Sequence, residues 1–332
     1  MSLTFRAFEP TPVDFELHAR LYSAHSPEDA IDAGHVQRTT DAHAAKFEYE
    51  RVFAYLDGEP VASMHVSKPL WFDSPHMTYH TVSSDPSIWD TKWHEELWNL
   101  NEKRAMSKGR SMLLAFSSTL QPYDEAWLRE HGYEQTQMNI HVACDLDAFS
   151  VADHAPLLDR LSSEGFEILA LQELEDVGVD WRRPFYEMEL ELDQDIPVPE
   201  PLLPEPFEEF AERSKNPLRY PLDSLFVARQ NGELVGVSML YPSRVVPERM
   251  HTGLTGVRRP YRRKGLARAM KVRAMQWAKE HGKRTVFADN EQDNPMLQLN
   301  RSLGFAEFKR EYSFQKVILR EDLSQSDREP LS

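Results

Sequence analysis

The alternation of apolar and polar residues sets out the elements of this chain. VFAYLDGEPVASM (52–64) and FVARQNGELVGVS (226–238) each place alternating apolar positions on both sides of an Asp-Gly or Asn-Gly pair, the mark of a two-residue hairpin turn. Leu266, Met270, Ala274 and Trp277 recur at helical spacing, which predicts a helix over 266–280, and a second long helix is expected over 90–107. MNIHVACDL (138–146), FEILAL (166–171) and MHTGLTGV (250–257) read as strands, and 181–192 as a helix. The two glycines inside the last of these strands, Gly253 and Gly256, suggest a bulge or a close approach of backbone or ligand.

Laid over itself at an offset of about 173 residues, the chain brings the two hairpins into register. AMSKGRSMLLAF (105–116) then falls on WAKEHGKRTVFA (277–288), each a helix end, a capping glycine (Gly109, Gly282) and a strand, and HGYE (131–134) falls on LGFA (303–306). The expectation is a duplicated domain, 1–150 and 151–332, each half ordered strand, one or two helices, hairpin, strand, helix, strand, helix, strand. That order builds an α/β (α+β) fold, an open, mixed and mostly antiparallel sheet flanked by helices. The proline-rich IPVPEPLLPEP (196–206) is a rival boundary, placed inside the second domain because a cut there strands FEILAL and the 181–192 helix without their hairpin.

Composition narrows the function. A formal net charge of −16 disfavours nucleic acid and anionic membrane surfaces as partners. No run of 18 apolar residues exists and the N-terminus has no signal-peptide pattern, so the expected location is the cytoplasm. The single cysteine, Cys144, and histidines without ligand spacing predict no metal site. The tryptophans Trp71, Trp89, Trp93, Trp98, Trp127, Trp181 and Trp277 are expected mainly in the core. Glu187, Glu189 and Glu191 read as a solvated edge that could attract a cation.

Against that acidic background GVRRPYRRKGLARAMKVR (256–273) holds eight Lys or Arg residues and no acid. A strand, a tight turn and a helix start near Gly265 form an anion site, because the first helical amides are unpaired and the dipole is positive there. Gly265 and Ala267 lack side chains that would cover those amides, while Arg262, Arg263 and Lys264 add charge.

Here Arg262-Arg263-Lys264-Gly265-Leu266-Ala267 resembles the R/Q-x-x-G-x-G/A acetyl-CoA loop of the GNAT superfamily of N-acetyltransferases, and TVFADNEQDNPMLQLNRSLGF (285–305) is similar to the strand, helix and Gly-Phe turn that follow it there. The chain as a whole resembles a tandem-GNAT protein. The resemblance implies acetyl-CoA as co-substrate, bound by Thr255, Gly256, Val257, Arg262, Arg263, Lys264, Gly265, Leu266, Ala267, Asn290 and Asn300. It also implies transfer to a primary amine, small-molecule or peptide; direct attack is expected because no activated cysteine or serine is evident, and the chain is expected as a monomer or homodimer. His251, eleven residues before Arg262, is the candidate base, and strict alternation puts it on the face of Gly253, Thr255 and Val257. Asn300 stands where many members of the superfamily place a tyrosine acid, so the group that protonates the leaving thiolate is left unassigned. The first half has SSDPSIWDTKWHEEL (83–97) at the loop position, with acids and indoles in place of glycine, and is expected to have lost the site. A non-catalytic acyl-CoA sensor or scaffold is the alternative.

Overall fold

The computed structural model describes residues 2–43, 46–69, 74–196, 205–217 and 219–319. Trp71 and most of the proline-rich segment lie outside the described residues. The elements run β1 (Leu3–Ala7), α1 (Pro12–His25), α2 (Ala33–His43), β2 (Glu50–Leu56), β3 (Glu59–Ser67), β4 (Met77–Ser84), α3 (Lys92–Met106), β5 (Met112–Ser118), α4 (Pro122–Glu130) and β6 (Glu134–Asp145). There follow α5 (Ala155–Ser163), β7 (Phe166–Ala170), α6 (Leu171–Asp176), α7 (Arg182–Asp193), α8 (Phe207–Arg213), β8 (Leu225–Gln230), β9 (Glu233–Pro242), β10 (Arg249–Val257), α9 (Leu266–Glu280), β11 (Thr285–Glu291), α10 (Pro295–Ser302) and β12 (Ala306–Val317). Among the described residues no helix is long and apolar enough to cross a membrane.

The chain divides into two compact units, 1–139 with 309–332, and 140–308. The division expected at 150/151 falls in the connection after β6, whereas the units change at 139/140 and again at 308/309. The second change follows from β12, whose Glu311–Val317 pair antiparallel with Ser118–Met112 of β5 and whose Phe314 is fully buried in the first unit's core. In the first unit β1, β2, β3 and β4 are joined antiparallel, and β4 meets β5 in parallel over Met77–Tyr79 and Met112–Leu114. In the second unit β7, β8, β9 and β10 are joined antiparallel, and β10 meets β11 in parallel over Arg249–His251 and Thr285–Phe287. Each unit therefore carries the mixed, mostly antiparallel sheet expected, and the repeated hairpins turn at Asp57-Gly58 and Asn231-Gly232 with positive φ throughout.

The first unit buries Trp98, Trp127, Leu97, Leu113 and Phe314 on one face of its sheet, under α3 and α4. The second buries Trp181, Phe185, Met188, Leu192, Phe210 and Tyr220 against Val227, Val237 and Met239. The two units differ where the parallel strand feeds a helix. In the first, Thr91 caps α3, its hydroxyl accepting from the Trp93 amide at 3.2 Å. In the second, the position before α9 is Gly265, with no side chain to cap it.

Candidate functional site

β10 is the centre of the site. Its register against β9 runs Thr252 to Leu240 and then Thr255 to Ser238, so Gly253 and Leu254 stand opposite the single residue Met239. This bulge is what the glycine pair implied. Its consequence for His251 was not foreseen: one extra residue reverses the alternation, so His251 shares a face with Tyr241, its direct partner, and not with Thr255, which bonds Ser238 Oγ at 3.1 Å on the opposite face. His251 stacks on Phe287 with ring centroids 5.6 Å apart.

Pairing between β10 and β11 ends at His251 and Phe287, although both strands continue. Beyond that vertex the edge of β10 from Thr252 to Val257 opens into a cavity of about 1000 Å³. Thr255, Gly256, Val257, Arg262, Arg263, Gly265, Leu266, Ala267, Asn290 and Asn300 line it; His251 and Lys264 do not. Lys264 instead lies over the Phe166 ring at 5.6 Å. Gly256 is needed for close approach, since a Cβ there would come within 2.9 Å of Leu192 of α7, another lining residue.

The far end of the cavity is the start of α9. Gly265 adopts φ +90°, the left-handed region in which glycine is at ease, and this corner turns the amides of Leu266, Ala267 and Arg268 outward at the helix N-terminus. Glycine is required here by its φ and by Leu157, whose Cδ1 would lie 2.8 Å from an added Cβ, and not merely by the need to leave the amides uncovered. Arg262 donates through Nε to the Val257 carbonyl at 2.8 Å, and its Nη2 pairs with Asp195, which also holds Arg259 at 2.9 Å. The arginines keep the Asp195 carboxyl below the usual aspartate range, Arg259 contributing first.

The inner end is polar and buried. Asn300 Nδ2 donates to Asn290 Oδ1 at 2.8 Å, while Asn300 Oδ1 is buried without a hydrogen-bond partner among the described residues. The cap of α10 is Asn294, accepting from the Met296 amide at 2.9 Å, so Asn290 is left facing the cavity. Lys271, hidden within the basic run in sequence, also lines the cavity; it is 4% exposed, and burial pushes its amine down to about 8.

Sequence reading also missed Glu189. The alternating acids suggested a wet edge, but on α7 the buried residues are Phe185, Met188 and Leu192, and Glu189 falls on that same stripe. Burial, helped by Asp193 and Glu205 and opposed by Arg213, pushes its carboxyl up to about 7. Arg213 is already held by Glu205, 2.8 Å from Nη2. Tyr241, whose ring lies against Gly253, and Tyr220, whose buried hydroxyl has no hydrogen-bond partner among the described residues, are both pushed up by burial and by Glu189.

A mixed sheet with one splayed parallel pair thus opens onto an uncapped helix start. Residues 179–305 match the model of the acetyltransferase (GNAT) family. The chain is similar in fold to a GCN5-related N-acetyltransferase from Sphaerobacter thermophilus (TM-score 0.67, 19% identity, 94% of this chain and 95% of that one). It is likewise similar to a tandem GNAT protein from the clavulanic acid biosynthesis pathway (TM-score 0.69, 16% identity, 95% and 98%) and to a GNAT-family acetyltransferase from Colwellia psychrerythraea (0.63, 14%, 94% and 99%). No curated protein matches the sequence significantly.

Proposed function

We propose that the chain transfers acetyl from acetyl-CoA to a primary amine by direct attack, in the second unit. The observation that carries this reading is that the unpaired edge of β10 and the uncapped first turn of α9 open into the same cavity. The residues fit coenzyme A. The amides of Leu266 to Arg268, with Arg262 and Arg263, suit a pyrophosphate. The buried Asn300 Oδ1 awaits a donor such as a pantetheine amide, and peptide N–H groups of Thr255 to Val257 suit a thioester carbonyl. The first unit is assigned no cofactor site, since Thr91 occupies the corresponding helix start.

An alkylammonium must lose a proton before it attacks. Of His251 and Glu189, both on the Tyr241 side of the sheet and both outside the cavity lining, Glu189 is the stronger base candidate: it has no hydrogen bond or ion pair among the described residues, and burial pushes its carboxyl up to about 7. Glu189→Gln is expected to lower kcat/KM by about a hundredfold and to remove the acid limb near pH 7, with His251→Ala costing less. Asp195→Asn, which frees Arg259 and Arg262 from a surface pair, should tighten CoA binding by about threefold.

Calorimetry with CoA, followed by thiol release across a panel of primary amines, tests the whole. Heat at the second unit and amine-dependent thiol support the reading. No heat overturns it, and binding with only background thiol release leaves a sensor.

A further inference from the structure

Among the described residues Lys271 is a buried cation with no carboxylate partner, set in the wall of the cavity that we assign to the acyl donor. Holding an ammonium in such a place without a counter-ion costs stability, and large apolar residues fill most neighbouring positions of α9: Leu266, Met270, Val272 and Met275 are all buried. Phe305 packs beside it, its ring centroid 5.8 Å from Nζ. Asn290 and Asn300 share the wall. The other charged groups of the lining are Asp289 on β11, Asp195 after α7, and Arg262, Arg263 and Arg268. Burial alone accounts for the lowered affinity of Lys271 for its proton, so none of them compensates it. An uncompensated cation facing a cavity is suited to a ligand that becomes negative there.

Resting on the reading that CoA occupies this cavity, we propose that Lys271 stabilises the departing CoA thiolate and gives it a proton, the task left open by asparagine at position 300. As the amine nitrogen bonds to the acyl carbon, the carbon–sulfur bond breaks and sulfur leaves with the bonding pair. The Lys271 proton passes to that sulfur, and the lysine is reprotonated from solvent. Starting from an ammonium acceptor, nitrogen sheds two protons, sulfur gains one, and one is released. An amine near 8 is acidic enough for this exchange, because an ordinary thiol titrates at about 8.5.

The first arm of the test needs no acceptor; the second measures turnover with an amine from the panel above. The thiol of bound CoA is titrated through the ultraviolet absorbance of its thiolate, in wild type, Lys271→Met and Lys271→Arg. The wild-type thiol is expected to titrate about one pH unit lower than in Lys271→Met, because a nearby cation favours the thiolate. Lys271→Arg should keep that lowered value yet lose about tenfold in turnover, since a guanidinium holds its proton. Equal thiol titrations in wild type and Lys271→Met overturn the proposal, as does full turnover by Lys271→Arg.

Absence of CoA heat in every protein strikes the cofactor reading instead, and thermal melts then decide the state of Lys271 alone. The folded state holds the lysine proton less tightly than the unfolded state does, so wild-type stability should rise between pH 8 and 10.5, and that of Lys271→Met should not. A flat wild-type profile overturns the buried cation.

Discussion

Gly265→Val is expected to weaken CoA binding by at least about a hundredfold while leaving the fold intact. Two effects act at one corner. The backbone there has φ +90°, where a β-branched residue costs about 1–3 kcal/mol. The new Cβ would also meet Leu157 Cδ1 at 2.8 Å, and α5 has little freedom to retreat because Arg160 Nη2 donates to the Lys264 carbonyl at 2.7 Å. The chain relieves both by moving 263–266, and with them the amides at the start of α9. Each lost hydrogen bond to a charged phosphate is worth about 1.5–3 kcal/mol, so two give the stated factor or more. Gly282→Ala is the control: it also sits at positive φ, +71°, but with open space around it and at the other end of α9, so it should spare CoA affinity. Calorimetry on both variants, with melting curves, separates loss of the site from loss of the fold.

The loop was legible because its physics is local. Asp57-Gly58 and Asn231-Gly232 announce their turns, Gly109 and Gly282 their helix ends, and the glycine before α9 its open amides, each through a few adjacent residues. What stayed hidden depends on partners far along the chain. Gly253 and Gly256 signal a bulge, but only pairing with β9 shows that it reverses the face of His251. Glu189 looks strand-like among alternating acids until the buried stripe of α7 claims it. Lys271 is one cation among eight until burial singles it out. The return of β12 to pair with β5 leaves no mark in either strand alone, since any strand of suitable pattern could fill that edge.

Asp124→Ala should destabilise the first unit by about 3–5 kcal/mol, the cost of stripping one partner from a buried ion pair. Asp124 is 2% exposed; His25 Nε2 and His94 Nε2 each lie 3.0 Å from its carboxylate, and Trp98 Nε1 donates to it at 3.0 Å. Burial opposes charge on both Asp124 and His25, but their mutual attraction outweighs it, lowering the carboxyl from 3.8 and raising the imidazole from 6.5. The depressed carboxyl contributes stability that is present above its unfolded value and lost as pH falls through the folded one. The raised imidazole contributes stability that is present below its unfolded value and lost as pH rises through the folded one. The pair's own contribution should therefore be largest between about pH 4 and 6.5, where it acts against His18, His65 and His80, whose burial holds them below the usual imidazole range and makes the first unit lose stability as pH falls below 6.5; Asp124→Ala should remove the pair's share and leave theirs. Hydrogen exchange followed by mass spectrometry reads β3 and β4 apart from β9, so loss of protection confined to the first unit bears the account out. Equal loss in both, or a difference between wild type and variant that does not change with pH, would show that the Asp124 pair does not contribute as stated. Because CoA is assigned to the second unit, that variant should still give heat with CoA at pH 7 wherever the second unit keeps its protection. The two arms thus test independently which unit holds the buried charge and which holds the cofactor.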